Sequence, residues 1–263
     1  MKLGITQIVL GDLKIADTIA LCRDAGHTAV ELTFKTGKDL DPALSDEALR
    51  GIAKQFEQAG ITISSVITAL SDGGNLLSRN PADRAKREAS VRRAIEIGGA
   101  MGVGATLLHP GALSVAGTYE EAWTDLRHAL RQLAPHAAKH KVAIGLENVW
   151  NKFMLSPREA RQMVDEVGSE WVGIYLDTAN MMAYGYPEHW IRELGKRIVR
   201  VHLKDFKRRE HKFVPLTEGD TDWPTIMAEL RQIGYAHSLI HECDGPRELL
   251  IDLGARMRKI AVL

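Results

Sequence analysis

Cysteine is nearly absent from this 263-residue chain, which holds only Cys22 and Cys243. Two cysteines build no disulfide framework and fit a reducing compartment. Also missing is any apolar run of about 18 residues, the length that a membrane-crossing helix requires. The opening stretch MKLGITQIVLGD is too short and too soon interrupted to read as a signal peptide. Neither sign of charge prevails, with 34 basic residues against 34 acidic, so no nucleic-acid or anionic-membrane footprint is present. No Pro/Ser/Gly-rich linker or block of like charge divides the chain. These absences point to a soluble, cytoplasmic α/β protein of one domain, residues 1–263, whose partners are small molecules.

What the chain does have is a regular alternation of short apolar strands and amphipathic helices, the pattern of repeated βα units around a parallel sheet. Strands are predicted over residues 3–9, 29–32, 61–68, 105–109, 142–147, 172–177, 198–203 and 236–242. Helices are predicted over 15–25, 46–59, 82–101, 119–140, 157–167, 187–194, 222–233 and 245–259. Asp46, Ser156 and Asp222 have the character of N-caps, with Pro157 and Pro224 in the first turns. Gly26, Gly60, Gly168, Gly195 and Gly234 stand where helices end before strands. Gly98, Gly99, Gly102 and Gly104 precede a strand, which suits a helix exit and not a phosphate loop. Gly73 and Gly74 lie in the loop 71–80 after the third strand, on the side where a loop covers a substrate. Eight strands with eight helices favour a closed (β/α)8 barrel over its competitor, a doubly wound open sheet.

Strand side chains alternate between faces with period two. Over residues 142–147, Val142, Ile144 and Leu146 take one face, and Ala143, Gly145 and Glu147 the other. Bulk outward against helices, small residues inward and a polar group at the C-terminal lip are what an inner barrel strand needs. The same parity puts Asp177 inward at the end of the sixth strand, His202 in the seventh and Glu242 in the eighth. Active sites of such barrels lie at that lip. Three carboxylates meeting there must protonate or find a cation. One divalent ion held by Glu147, Asp177, His202 and Glu242 resolves the conflict. The oxygen-rich set suits Mn2+ first, with Mg2+, Co2+ or Zn2+ as alternatives.

Five motifs carry a resemblance: LENVWNKF (146–153), YLDTANMMAYGYPEHWI (175–191), RVHLKDFKR (200–208), EGDTDWP (218–224) and HECDG (241–245). The chain resembles the xylose-isomerase-like TIM barrel family, close to its sugar phosphate isomerase/epimerase members of the ketose 3-epimerase type. That resemblance implies an isomerase acting on a sugar or sugar phosphate. It also implies that Glu147, Asp177, His202 and Glu242 bind the metal, with the two glutamates doubling as proton-transfer groups. An Arg six residues past the ligand His holds substrate oxygens in such enzymes, and Arg208 stands there. Two departures touch substrate recognition. Asn180 replaces the His found three residues after the ligand Asp, and Trp150-Asn151-Lys152-Phe153 replaces a second Glu.

The expected chemistry is removal of a carbon-bound proton next to a carbonyl through a metal-stabilised enediolate, with Glu147 and Glu242 as acid and base. His109, Lys204 and Trp150 join Arg208 and Asn180 as substrate-binding candidates, and Lys207, Arg209 and Lys212 form a basic run beside Arg208. The same ligands would serve a lyase or dehydratase that eliminates a β-substituent from a keto-sugar or keto-glycoside. A nuclease on this barrel would need a His-rich metal cluster and a basic groove, which the composition does not supply. A non-catalytic sugar-binding barrel is the remaining rival. Assembly as a dimer or tetramer is the expectation for such barrels.

Overall fold

A computed structural model describes residues 1–67 and 73–263. Thr68 of the third predicted strand, and Ser71 and Asp72 of the 71–80 loop, lie outside the described residues. The strands in chain order are β1 (Leu3–Thr6), β2 (Ala29–Thr33), β3 (Thr62–Ile67), β4 (Ala105–Leu108) and β5 (Ala143–Glu147), then β6 (Val172–Asp177), β7 (Ile198–Leu203), β8 (Asp205–Lys207), β9 (Lys212–Val214) and β10 (Leu239–His241). The helices are α1 (Ile15–Ala25), α2 (Asp46–Gln58), α3 (Pro81–Met101) and α4 (Tyr119–His140), then α5 (Pro157–Val167), α6 (Pro187–Leu194), α7 (Trp223–Gln232) and α8 (Arg247–Ala261). Eight of the strands close into a parallel barrel in the order β1-β10-β7-β6-β5-β4-β3-β2, while β8 and β9 pair antiparallel as a separate hairpin. The expected (β/α)8 TIM barrel is the fold.

Parity decides which side chains make the core. Ile144, Leu146, Ile174, Leu176, Val201 and Leu203 are fully buried between barrel and helices, each worth roughly 1.5–3 kcal/mol relative to exposure. The inner faces carry a different set, arranged in tiers. Low in the barrel, Arg200 of β7 crosses to β3 and donates to the Ser64 carbonyl at 3.0 Å. Above it, Glu31 of β2, Ser65 of β3, Tyr175 of β6 and His202 of β7 share hydrogen bonds. Gly145 of β5 leaves the space that the Tyr175 ring occupies, since a Cβ there would stand 3.0 Å from Tyr175 Cβ.

Local chemistry corrects several predicted boundaries. The first strand stops at Thr6 instead of continuing to residue 9, because the Thr6 hydroxyl accepts from Ile8 N–H at 3.2 Å and starts a 3-10 turn over Gln7–Leu10. The last barrel strand is three residues long, shorter than the predicted 236–242. Helix α2 is capped by Ser45, whose hydroxyl accepts from Ala48 N–H, and not by Asp46, which sits inside the first turn. Ser156 caps α5 reciprocally with Glu159, and Asp222 caps α7, as read from sequence. Gly98 and Gly99 lie within α3 against Val142 and His140, so only Gly102 serves as the helix exit. Among the described residues no helix is long and apolar enough to cross a membrane.

Candidate active site

The barrel lip is built by strand ends. Asp177 closes β6 and pairs in register with His202 of β7, while His202 is in turn level with Ile240 of β10. Glu147 ends β5, and Glu242 follows β10 by one residue, its N–H donating to the Leu203 carbonyl at 3.1 Å. Four strands, β5, β6, β7 and β10, thus each deliver one donor group, and the donor atoms of Glu147, Asp177, His202 and Glu242 all lie within 4.8 Å of one another.

Three of the four donors, Asp177, His202 and Glu242, leave one atom without a hydrogen bond. Asp177 Oδ1 accepts from the N–H groups of Ala179 (2.8 Å) and Asn180 (2.7 Å), whereas its Oδ2 has no hydrogen-bond partner. The Asn148 amide fixes the Asp177 backbone from both sides, accepting from its N–H at 2.9 Å and donating to its carbonyl at 3.1 Å. His202 Nε2 stands 2.7 Å from Glu31 Oε1. Glu31 Oε2 accepts at 2.5 Å from both Ser65 Oγ and Tyr175 OH. A carboxylate behind an imidazole holds a ring hydrogen on Nε2 and points Nδ1 at the cluster, the arrangement that orients metal-binding histidines. Burial disfavours the charged ring, but Glu31, Glu147 and Glu242 together keep it protonated in the protein alone, so a cation at Nδ1 takes the place of the proton there. Nδ1 lies 3.0 Å from Glu242 Oε2 and 3.5 Å from Glu147 Oε1. Neither contact has hydrogen-bond geometry, so Nδ1 and Glu242 Oε2 are also buried without hydrogen-bond partners. Unpartnered buried polar atoms are costly. Three of them aimed at one point, in a set of carboxylates and an imidazole, fit a divalent cation.

The protein groups alone set the electrostatics as follows. Burial pushes the Glu147 carboxyl up to about 7, with Glu242 and Asp177 adding repulsion against the pull of His202. Burial also raises Asp177, partly offset by Lys204. Burial works against ionised Glu242 too, but His202 and Lys204 outweigh it and hold that group at about 2. Lys204 Nζ lies 3.3 Å from Glu242 Oε2 and 3.6 Å from Asp177 Oδ2. Burial disfavours its charge, yet Asp177 and Glu242 raise its pKa above the usual lysine range.

A cavity of about 210 Å3 lies over the cluster, lined by His109, Glu147, Trp150, Asn180, Lys204 and Glu242 together with apolar groups including Ile8 and Phe213. Six of the nine residues picked from sequence therefore face one space, and Asp177 and His202 are fully buried in the cluster. His109 Nδ1 accepts from Gly111 N–H at 3.1 Å, leaving Nε2 as its donor. Burial, helped by Arg87, lowers its pKa to about 4 and keeps it neutral. Asn180 spends its amide on the Asn148 carbonyl at 2.9 Å. Trp150 donates from Nε1 to the Asn180 carbonyl at 2.5 Å and packs against His211 and Phe213 of the hairpin. Arg208 is not among the lining residues. It donates to the carbonyls of Met182 (2.6 Å) and Gly185 (2.9 Å) and lies 4.5 Å over the Tyr186 ring.

Sequence reasoning overlooked Glu31, Ser65 and Asn148. Glu31 obeys the same parity that selected the ligands, between outward Val30 and Leu32 on a strand. Its partner His202 is 171 residues away, so nothing local announces the pairing.

The family described as xylose isomerase-like TIM barrel matches residues 19–260. This chain belongs to that family. L-ribulose-5-phosphate 3-epimerase UlaE of Escherichia coli (strain K12) is 25% identical over 226 residues, which are 83% of this chain and 78% of the relative. The expectation of an isomerase-class enzyme agrees with such relatives, which are epimerases by name. A solved L-ribulose 3-epimerase superposes with a TM-score of 0.83 at 21% identity, covering 99% of this chain and 94% of the other. The IOLI protein with a bound zinc atom gives the same score at 20% identity, covering 99% and 98%. At those identities the two structures speak for the shared barrel.

Proposed function

We propose that this barrel, one domain over residues 1–263, is a divalent-metal-dependent epimerase or isomerase of a sugar or sugar phosphate. The carrying observation is the convergence of Glu147, Asp177, His202 and Glu242 at the floor of a cavity about the size of a monosaccharide. The relatives named ribulose-5-phosphate 3-epimerase support the reaction class, and the zinc of the IOLI protein supports the metal. Glu147, Asp177, His202 and Glu242 hold the ion, and their oxygen-rich character favours Mn2+ while admitting Mg2+, Co2+ or Zn2+. When bound, a divalent cation supplies Lewis-acid polarisation of a substrate carbonyl and balances the charge that develops on its oxygen.

The remaining work belongs to side chains. β6 and β7 separate β5 from β10, so Glu147 and Glu242 flank the cluster from two sides. One takes the carbon-bound proton from one face of the substrate, and the other delivers a proton to the opposite face, which inverts that carbon. Return of the proton on the same face to the neighbouring carbon gives aldose–ketose isomerisation instead. His109 Nε2–H and the Lys204 ammonium present donors to substrate oxygens and Asn180 lines the same space, while Ile8, Ile67, Leu107 and Phe213 keep the reacting carbon dry. Trp150 walls the cavity, and Arg208 steadies the loop beside it through Met182 and Gly185.

The test is solvent deuterium incorporation into a panel of ketoses and ketose phosphates with the Mn2+-loaded enzyme. Label next to the carbonyl in an isomerised sugar is expected. Glu147→Gln and Glu242→Gln should each lower turnover by about 10²–10⁴-fold with the fold intact. Release of water or an aglycone in place of a labelled isomer would assign β-elimination to the site. Turnover undiminished in both variants would sink the two-carboxylate scheme.

A further inference from the structure

The monosaccharide-sized cavity is not the whole of the space above the cluster. Beside Phe213 it adjoins a second chamber of about 600 Å3, which shares Ile8, Lys204, Phe213 and Glu242 with the first. Apart from the shared residues, Val9, Gly11, Val214, Pro215 and Cys243 make its wall, and Asp244 is the only charge they are joined by.

Charge in this chamber runs against a phosphate. Among the described residues that line it Lys204 is the sole cation, and it is committed to Glu242, to Asp177 and to the face of Phe213 at 4.9 Å. A phosphate dianion in the chamber would meet Glu242 and Asp244 with no guanidinium to form the bidentate pair that such groups favour. The basic run of the hairpin does not help. Arg208 is tied to two backbone carbonyls and to Tyr186, and Lys207, Arg209 and Lys212 line neither chamber. What the two spaces do present is aromatic surface: Phe213, which lines both, is 40% exposed, and Trp150, which lines the inner one, is 47% exposed, at 4.9 Å between ring centres. Exposed rings at a cavity mouth suit the faces of sugars and of apolar substituents.

We infer that the substrate is an uncharged keto-sugar carrying an apolar substituent, a keto-glycoside whose aglycone lies in the outer chamber against Phe213, Val214 and Pro215. The inference rests on the proton-transfer reading above and narrows its substrate to the unphosphorylated class.

Three matched probes decide it: 3-keto-D-glucose, its phenyl β-glycoside and its 6-phosphate, each titrated calorimetrically into the Mn2+-loaded protein and each scored for deuterium incorporation. The phenyl glycoside should bind at least about tenfold more tightly than the free sugar, a gain of about 1.4 kcal/mol, and the 6-phosphate no more tightly. Filling the chamber by Val214→Trp should bring the ratio of glycoside to free-sugar affinity down to about one. Reversing the mouth charge by Asp244→Lys, a check that does not depend on the hairpin tolerating tryptophan, should raise 6-phosphate affinity about fivefold or more. A phenyl glycoside that binds no better than the free sugar, or a 6-phosphate that binds tenfold better, overturns the inference. Tight glycoside binding without deuterium incorporation would support the substrate class and count instead against the proton-transfer reading.

Discussion

Glu31 shows how much depends on one side chain outside the proposed ligand set. It satisfies Ser65, Tyr175 and His202 at once, and it fixes which nitrogen of His202 is offered to a cation. Glu31→Gln keeps the shape but replaces a double acceptor with an amide that must present its NH2 to one of three donors. Affinity for Mn2+ should fall about 10–100-fold, measured by metal titration of the folded variant. Glu31→Ala removes the acceptor altogether and should destabilise the fold by about 3–5 kcal/mol in denaturant melts, since it strands the groups it served. At this scale the sequence was readable wherever the rule was strict alternation, as it was for Glu147, Asp177, His202 and Glu242. It was unreadable wherever a role depends on which residue lies across the barrel, as for Glu31 and Ser65, or on where a flexible side chain settles, as for Arg208.

Elements divide the same way. All eight helices lie within two residues of their predicted ends and six of the eight barrel strands within one, because period and capping are local properties. The β8–β9 hairpin was not foreseen. Its strands are three residues each, and what holds them is Asp205, a buried carboxylate that accepts from the N–H groups of Thr217 (2.9 Å), Gly219 (3.1 Å) and Thr221 (3.3 Å) and from the Thr221 hydroxyl (2.7 Å). That hub folds the EGDTDWP loop back over the hairpin and so positions Phe213 beside the cavity. A Cβ on Gly219 would lie 2.1 Å from Asp205 Oδ1. Gly219→Ala should therefore cost about 1–3 kcal/mol in stability. Because the loss is transmitted through Phe213, it should raise KM more than it lowers kcat in steady-state assays.

For the whole molecule, acid and metal pull on stability in opposite directions. His27 is buried with neither ring nitrogen hydrogen-bonded, and its ring packs tilted at 41° against that of His241, 5.2 Å between centres. Burial, aided by Arg258, lowers its pKa to about 4 from 6.5. The unfolded chain thus binds a proton that the folded chain refuses between those values. His27's contribution is intact above pH 6.5 and is lost as pH falls toward 4, by roughly 2 kcal/mol between pH 7 and 5. Melting curves of His27→Leu should show a shallower decline over that interval, with stability at pH 7 equal or higher. Divalent cation acts the other way: Mn2+ at about 100 times its Kd should add about 2.7 kcal/mol, and chelation should remove it, read as a shift of several degrees in Tm. The seam of the barrel gives that coupling a further meaning. β10 joins β1 and β7 through only three residues on each side, and Glu242 stands immediately beyond it. A chain still being synthesised has Glu147, Asp177 and His202 before it has Glu242, so the fourth member of the cluster arrives with the strand that shuts the cylinder. Under the proposed metal binding the ion is a clasp on the last stitch, and a nascent or truncated chain ending before residue 239 lacks both the clasp and the closure.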